Sequence, residues 1–337
     1  MDAVLTAMVE EKIGPGERNR LLIQTAREQL RFDYALALRS PAVALHLALK
    51  ALDARPGQAV VVSALSPRFY LDVLSDLQLT PVFCDVTFDF PCLSRESVES
   101  AVESARVHAG TNSDGLRIAA VAVHHTLGFV PDTASIAQAG FPVIEDISQS
   151  YGSWLATGGE PAFNGVFCVL GLEERDMLTS GGGALLFAAN RKDGSALRGF
   201  AGIADEYCLP DINAALAVVQ FREVARNIER RNEITRVYAQ ASLRARHKRF
   251  IPRLENENNC YSFSLVLETG LKDVVSYAKK KDIILENAFD KTAAGAGACG
   301  GCGVSNSLAM RTVLFPVYPR LRSADVERVS RLIMTLP

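Results

Sequence analysis

The chain has 337 residues, of which 48% are hydrophobic and 22% charged, with a formal net charge of −2. That length allows a large domain plus a smaller one, with enough apolar side chains for a core. The charge balance and the absence of a membrane-length apolar run exclude the usual nucleic-acid-binding and transmembrane profiles. The opening MDAVLTAMVEEKIGPG carries acids where an export signal would carry Lys or Arg, so we expect a cytoplasmic protein.

The first two thirds of the chain alternate predicted strands and helices. Continuous apolar runs are typical of parallel strands that are covered by helices on both faces. We therefore predict an α/β domain with a doubly wound, mostly parallel sheet. The predicted helices occupy 41–53, about 67–77 and 94–108, and the predicted strands occupy 33–38, 58–65, 81–86, 117–125, 141–147, 165–172 and 182–189.

A long helix at about 211–245 follows and joins the large domain to a smaller one. The remaining segments predict a strand (SFSLVLE), a helix (KDVVSYAKKKD), a short strand (DIILE), a glycine loop, a strand (TVLFPVY) and a closing helix. We place the large domain at residues 1–230 and a small α+β domain at 231–337.

Seven cysteines are scattered along the chain, and buried reduced thiols are the simplest interpretation. Cys299 and Cys302 form a single CxxC in ACGGCG, with no second pair and no nearby histidine. That pattern is weak evidence for zinc or redox chemistry. We interpret the segment as a plain glycine loop.

The stretch FPVIEDISQSYGS resembles the DegT/DnrJ/EryC1/StrS family of sugar aminotransferases, which are pyridoxal-phosphate enzymes of the aspartate aminotransferase fold. Other stretches resemble the family in the same order, and together they cover nearly the whole chain. They are YALALRSPAVALHLALKAL, RPGQAVVVSALSPRFYLDVLSDLQLTPVFCDV, HTLGFVPD, DINAALAVVQFREVARNIERRNEI and LFPVYPRLRSADVERVSRLI.

The resemblance implies a pyridoxal-phosphate type of site at the carboxyl ends of the strands. It makes Asp146 the partner of the pyridine nitrogen, Gln149 a neighbour of the ring, and Ser40 a remnant of the phosphate cup. The alternative for Asp146 is a turn cap after its strand. Ser40 with Pro41 also makes a good helix start, whatever the ligand.

Several positions depart from the family pattern. The Ser-Gly-Thr of the phosphate cup reads Ser40-Pro41-Ala42, which removes one N–H group and one hydroxyl. The stacking aromatic reads Pro67, with Phe69 as a substitute, and the phosphate-binding serine reads Leu170. The Asn-Tyr-Arg that reaches the partner subunit's phosphate reads Glu206-Tyr207-Cys208, and the glycine loop replaces a family segment of the small domain.

The Schiff-base lysine position reads Arg175. A guanidinium stays protonated and cannot form an aldimine or act as a general base. Arg175 could grip an anion, or it could be a solvated turn residue among neighbouring acids. Both interpretations remain open at this stage.

Other candidates for chemistry are weaker. Lys192 looks exposed, and nothing in the sequence brings Lys281 or Lys291 of the small domain to the site. The side chains of His124 and His125 should face opposite sides of their strand. For His125 we expect a structural role near the cleft.

Three functions follow from this pattern. The first is a degenerate family member that has lost transamination and binds a ligand or a partner protein. The second is a working enzyme on a nucleotide-linked sugar, and the third is a cofactor-free binding module with Arg175 as an anion clamp. We expect a homodimer, with a nucleotide sugar or another anion as the cleft ligand, pyridoxal phosphate only by resemblance, and no metal, nucleic acid or membrane partner.

Overall fold

The computed structural model describes residues 2–11, 13–108, 116–157, 161–251, 261–297 and 299–337. A seven-stranded sheet forms the centre of the large domain, in the order β1-β7-β6-β5-β4-β2-β3. Strand β7 runs antiparallel to both of its neighbours, and the remaining pairs are parallel. The strands are β1 (Tyr34–Leu38), β2 (Ala59–Ser63), β3 (Thr80–Cys84), β4 (Ile118–His124), β5 (Val143–Asp146), β6 (Phe167–Gly171) and β7 (Ala184–Ala188).

Helices cover both faces of this sheet, which explains why β2, β5, β6 and β7 are buried along their whole lengths. The predicted mostly parallel α/β sheet is therefore confirmed. The helices of this part are α1 (Asp2–Val9), α2 (Glu17–Leu30), α3 (Pro41–Ala51), α4 (Phe69–Asp76), α5 (Arg95–His108), α6 (Thr133–Ala137) and α7 (Arg191–Arg198).

Helix α8 (Asp211–Ser242) has 32 residues and belongs to both domains. Its N-terminal portion packs Phe221 and Ile228 into the core beneath the large sheet. Its second half packs Ile234 and Tyr238 into a separate core of the small domain. The predicted boundary after residue 230 falls inside this helix and remains a prediction.

The small domain combines a three-stranded antiparallel sheet, in the order β8-β10-β9, with helices. The predicted helix after the first strand and the predicted closing helix are both present, whereas only Glu286 of the predicted strand DIILE (282–286) lies in a strand, the two-residue β9. Its elements are β8 (Phe263–Val266), α9 (Leu271–Lys279), β9 (Glu286–Asn287), α10 (Gly303–Arg311), β10 (Thr312–Phe315) and α11 (Ser323–Met334).

The two domains share a hydrophobic core. It joins Leu65 and Phe129 of the large domain to Phe289 and Leu308 of the small domain. Backbone hydrogen bonds also join residues 64–68 to residues 291–294, because Arg68 donates to Lys291, Ala293 to Ser66, and Ala294 to Ala64. The two domains are thus held together by packing and by hydrogen bonds.

The glycine-rich segment packs more closely than the sequence predicts. Cys299 and Cys302 are only 3% and 4% exposed and belong to the shared core. Burial raises the pKa of the Cys299 thiol to about 12 and that of Cys302 to about 11. Helix α10 follows directly and was not predicted. Its first N–H groups are capped by Asp85, which lies far away in the sequence.

Candidate functional site

A cavity of about 530 Å³ lies between the carboxyl ends of β4 and β5, the start of α3 and the small-domain segment 288–292. This is the edge of an open α/β sheet at which ligands usually bind. Asp146, Gln149 and Arg175 all line it. Ser40 does not line the cavity and serves instead as the N-cap of α3, where its hydroxyl accepts a hydrogen bond from Val43 N–H at 3.3 Å.

Asp146 ends β5 and is only 3% exposed. Its Oδ2 accepts a hydrogen bond from the Tyr70 hydroxyl at 2.8 Å, and its Oδ1 accepts from the Ser148 N–H at 3.0 Å and from the Ser148 hydroxyl. Burial and the adjacent Asp146 raise the pKa of Tyr70 well above its usual value, so its hydroxyl stays protonated. Since a carboxylate accepts about four hydrogen bonds, about one acceptor position remains for a ligand.

Gln149 also holds the cavity wall in place. Its Oε1 accepts a hydrogen bond from Leu127 N–H at 2.7 Å. Leu127 has a φ of 55°, a conformation that a residue with a side chain rarely adopts. The amide therefore helps to hold a strained turn against the cavity.

Arg175 is half-exposed and reaches across to the small domain. Its guanidinium lies 3.2 Å from Glu286 Oε2 and 3.2 Å from Asp290 Oδ1. Its backbone carbonyl accepts a hydrogen bond from the Tyr261 hydroxyl. Arg175 is thus neither a solvated turn residue nor an unpaired cation, because two carboxylates already balance its charge.

Asp176 lies beside Arg175 and faces the cavity. Its Oδ2 accepts a hydrogen bond from Glu173 N–H at 2.8 Å. Burial and then repulsion from Asp146 raise the pKa of Asp176 well above its usual value. Gly171 makes room for this carboxylate, since a β-carbon there would lie 2.2 Å from Asp176 Oδ2. No sequence motif marks Asp176 beyond its place next to Arg175.

The two adjacent histidines point to different surroundings, as the strand pattern predicts. His124 is 3% exposed and lines the cavity. His125 is equally buried, with Nδ1 2.7 Å from Ser150 Oγ and Nε2 3.6 Å from Glu145 Oε2. The structural role near the cleft that we expect for His125 stays a prediction, and the histidine that lines the cavity is His124.

Of the three lysines considered from the sequence, Lys291 lines the cavity and is exposed. Lys192 is exposed in the first turn of α7. Lys281 stacks its ammonium 4.9 Å from the Tyr277 ring. Lys291 comes from the small domain, and the shared hydrogen bonds with residues 64–68 bring it to the cavity.

The cavity does not fit pyridoxal phosphate as an aldimine of the loop between β6 and β7. Asp146 is in place for a pyridine nitrogen, but Arg175 offers no amine that could condense with an aldehyde. At the phosphate end, Pro41 has no N–H at the first position of α3. Leu170 is fully buried in the sheet, and the Glu173 carboxylate accepts the Gly183 N–H at 3.2 Å. A carboxylate beside the phosphate would repel it.

The described part of the chain contains neither a cluster of metal-ligating side chains nor a bilayer-length apolar helix. No group of three or more His, Cys, Asp or Glu side chains is arranged to hold a metal ion there. Among the same residues, no helix is both long enough and apolar enough to cross a bilayer.

The fold has close counterparts among solved structures. A DegT DnrJ EryC1 StrS aminotransferase from Brucella abortus aligns over 98% of this chain and 93% of its own, with a TM-score of 0.86 and 21% identity. The aminotransferase TlmJ from Streptoalloteichus hindustanus aligns over 99% and 94%, with a TM-score of 0.84 and 20% identity. DesV from S. venezuelae, solved in complex with a ketimine intermediate, aligns over 99% and 92%, with a TM-score of 0.84 and 18% identity.

At these identities the structural likeness shows the fold alone. The sequence itself matches the family model described as the DegT/DnrJ/EryC1/StrS aminotransferase family over residues 1–334. That match covers nearly the full length and agrees with the order of motifs from VIED to the closing helix. The chain therefore belongs to the DegT/DnrJ/EryC1/StrS aminotransferase family.

Proposed function

We propose that this chain keeps the fold of a sugar aminotransferase without its Schiff-base chemistry, and that it acts as a binding or partner protein. One observation supports this most directly. The side chain at the lysine position is Arg175, and its guanidinium is paired with Glu286 and Asp290. An arginine can neither condense with an aldehyde nor move the proton that transamination requires.

The phosphate end of the cavity supports the same proposal. Pro41, Ala42 and Leu170 together remove donors from a phosphate cup. The nearby Glu173 adds a negative charge and occupies a backbone N–H. A single substitution could be local adjustment, whereas losses at both ends of one site favour the loss of the cofactor.

The assembly and location belong to the proposal as well. We propose a cytoplasmic homodimer, because isologous dimers are the commonest soluble assembly. A nucleotide sugar or another anion would meet Arg68 and Lys291 at the exposed rim of the cavity, since Arg175 is already neutralised. The mass of the assembly in solution tests the dimer, and titration with a nucleotide sugar tests the ligand.

Lys291 favours a second candidate function. It lines the same cavity as Asp146 and is the only lysine among the cavity-lining residues that the structure describes. If its ammonium loses a proton and swings inward, it could supply the amine that Arg175 lacks. The chain would then be a working aminotransferase, on a nucleotide-linked sugar, with its lysine on the small domain.

A titration of the purified protein with pyridoxal phosphate separates the two candidates. We expect no saturable visible band from a protein aldimine, in either the wild type or the Lys291→Ala variant. A saturable band that disappears in Lys291→Ala, while Lys192→Ala retains it, would contradict the binding-protein proposal. Lys192 is a suitable control because it is exposed and does not line the cavity.

A further inference from the structure

The inner wall of the cavity presents hydrogen-bond acceptors close to one another. We call Asp146, Asp176 and His124 the cavity floor. A β-carbon at Gly171 would lie 2.2 Å from Asp176 Oδ2 and 2.8 Å from Ser148 Oγ, and Ser148 in turn donates to Asp146. The two carboxylates are therefore neighbours, with one serine hydroxyl near both.

The hydrogen bonds of His124 fix its ring as an acceptor towards the cavity. The Thr126 hydroxyl donates to the backbone carbonyl of His124 at 3.4 Å, so its oxygen accepts from His124 Nδ1 at 3.1 Å. Burial lowers the pKa of His124, so the ring is neutral and its one proton is on Nδ1. Nε2 is then an acceptor, and within the described ranges it has no hydrogen-bond partner.

The charges on the cavity floor are not balanced by the protein. Neither Asp146 nor Asp176 forms an ion pair with a residue that the structure describes. The charges acting on Asp176 are those of Asp146 and Glu173, both negative, which agrees with its raised pKa. Of the lining cations, Arg175 is paired elsewhere, and Arg68 and Lys291 lie at the exposed rim.

We propose that this cavity binds a small molecule that carries a primary ammonium group, with the ammonium on the cavity floor and any anionic group of the ligand at the rim beside Arg68 and Lys291. The inference deepens the proposed binding function and rests on it. A primary ammonium offers three donors and no acceptor, which complements a floor made of acceptors. A positive charge between the buried carboxylate of Asp146 and the half-buried carboxylate of Asp176 would also offset the repulsion between them.

The remaining walls determine the body of such a ligand. They are largely apolar, and a volume of about 530 Å³ is within the usual range for a small-molecule site. The ligand should therefore carry its ammonium on a compact apolar body or ring. The apolar wall consists of Leu65, Pro67, Phe69, Leu127, Phe289 and Leu314.

Three probes of matched shape test the inference by calorimetric titration: cyclohexylmethylamine, cyclohexylmethanol and cyclohexanecarboxylate. We expect the amine to bind with a dissociation constant at least tenfold below that of the alcohol, and the carboxylate to bind no more tightly than the alcohol. Equal binding of all three, or tightest binding of the carboxylate, would overturn the inference.

Variants of the cavity floor locate the binding. Asp176→Asn should weaken amine binding at least tenfold, and its folding is preserved because the amide oxygen can still accept the Glu173 N–H. His124→Phe should also weaken it, since the acceptor Nε2 is removed. The control Asp72→Asn alters an exposed carboxylate of α4 outside the cavity and should bind like the wild type. Unchanged affinity in both floor variants would place the amine elsewhere and contradict the inference.

The pyridoxal phosphate titration keeps this inference separate from the proposed function. An aldimine band would overturn the proposed function, whatever the amine does. Absence of the band together with no preference for the amine would leave the proposed function standing and reject the ammonium site alone.

Discussion

Arg175 and Asp176 are adjacent in the loop between β6 and β7 but have opposite surroundings. Arg175 reaches the small domain and is paired with Glu286 and Asp290. Asp176 turns into the cavity and meets the negative charge of Asp146. Arg175 therefore contributes to the contact between the domains, while its neighbour contributes to the cavity.

Replacing Arg175 by lysine should not restore a working cofactor site. The phosphate end would still lack the donors that Pro41 and Leu170 remove. The free energy of unfolding should change by less than about 1 kcal/mol, because half-exposed ion pairs are weak. Absorbance titration with pyridoxal phosphate and urea denaturation check both points. Appreciable transamination by Arg175→Lys alone, with the exposed Arg191→Lys as the control, would contradict the account.

Asp176 should make stability depend on pH with a definite sign. Its folded pKa is raised, whereas the unfolded value is near the usual ~3.9, so the folded state binds more protons between the two values. The contribution of Asp176 to the free energy of unfolding is thus greatest below about pH 4 and falls as the pH rises through the folded pKa. Asp176→Asn should flatten this part of the profile and be the more stable protein at neutral pH. Urea denaturation as a function of pH tests this, and an unchanged profile would contradict it.

The sequence predicts part of the site and leaves the rest to the fold. Asp146, Gln149 and Arg175 are predicted from local motifs, and the structure brings them to one cavity. Tyr70 and Tyr261 are missed because their partners lie 76 and 86 residues away in the chain. No local pattern distinguishes a tyrosine that donates to a distant carboxylate from one that packs in a core.

Helices and strands, too, are predicted where the local sequence determines them and missed where a distant residue does. The apolar runs predict the strands of the large sheet because burial on both faces requires such runs. Helix α10 is missed because its N-terminus depends on Asp85 of the other domain. Asp85 accepts from Val304 N–H at 3.0 Å and from Ser305 N–H at 2.8 Å. A glycine-rich approach such as ACGGCG gives no helix signal of its own.

Removing the Asp85 cap should destabilise the protein. The carboxylate satisfies two N–H groups of α10 and also accepts from the Ser305 hydroxyl at 2.5 Å. Asp85→Ala should therefore lower the free energy of unfolding by about 1–3 kcal/mol. Asp132→Ala removes the exposed cap of the short helix α6 and provides a matched comparison with a smaller expected loss. Equal losses in urea denaturation would argue against the interdomain cap.

On the scale of the whole molecule, the two domains are joined in several independent ways. Helix α8 enters both cores, a third core lies between the domains, and residues 291–294 hydrogen-bond to the large domain. The cavity walls from the two domains are thus fixed relative to each other. This arrangement favours a preformed binding site.

Joined domains should unfold together. We expect a single calorimetric transition, with a calorimetric enthalpy equal to the van't Hoff enthalpy of the protomer. Leu308→Ala in the shared core should lower the free energy of unfolding by about 2–5 kcal/mol and keep the single transition. Two separable transitions in the wild type would show that the shared core does not couple the domains.

The central claim is that this family member carries no Schiff-base lysine. It is tested most directly by mixing the protein with one equivalent of pyridoxal phosphate, reducing with borohydride and measuring the intact mass. The account predicts a protein of unchanged mass, with Arg175 at the lysine position and no amine in place. Quantitative addition of one cofactor to a single lysine, at Lys291 above all, would contradict it and favour the working aminotransferase.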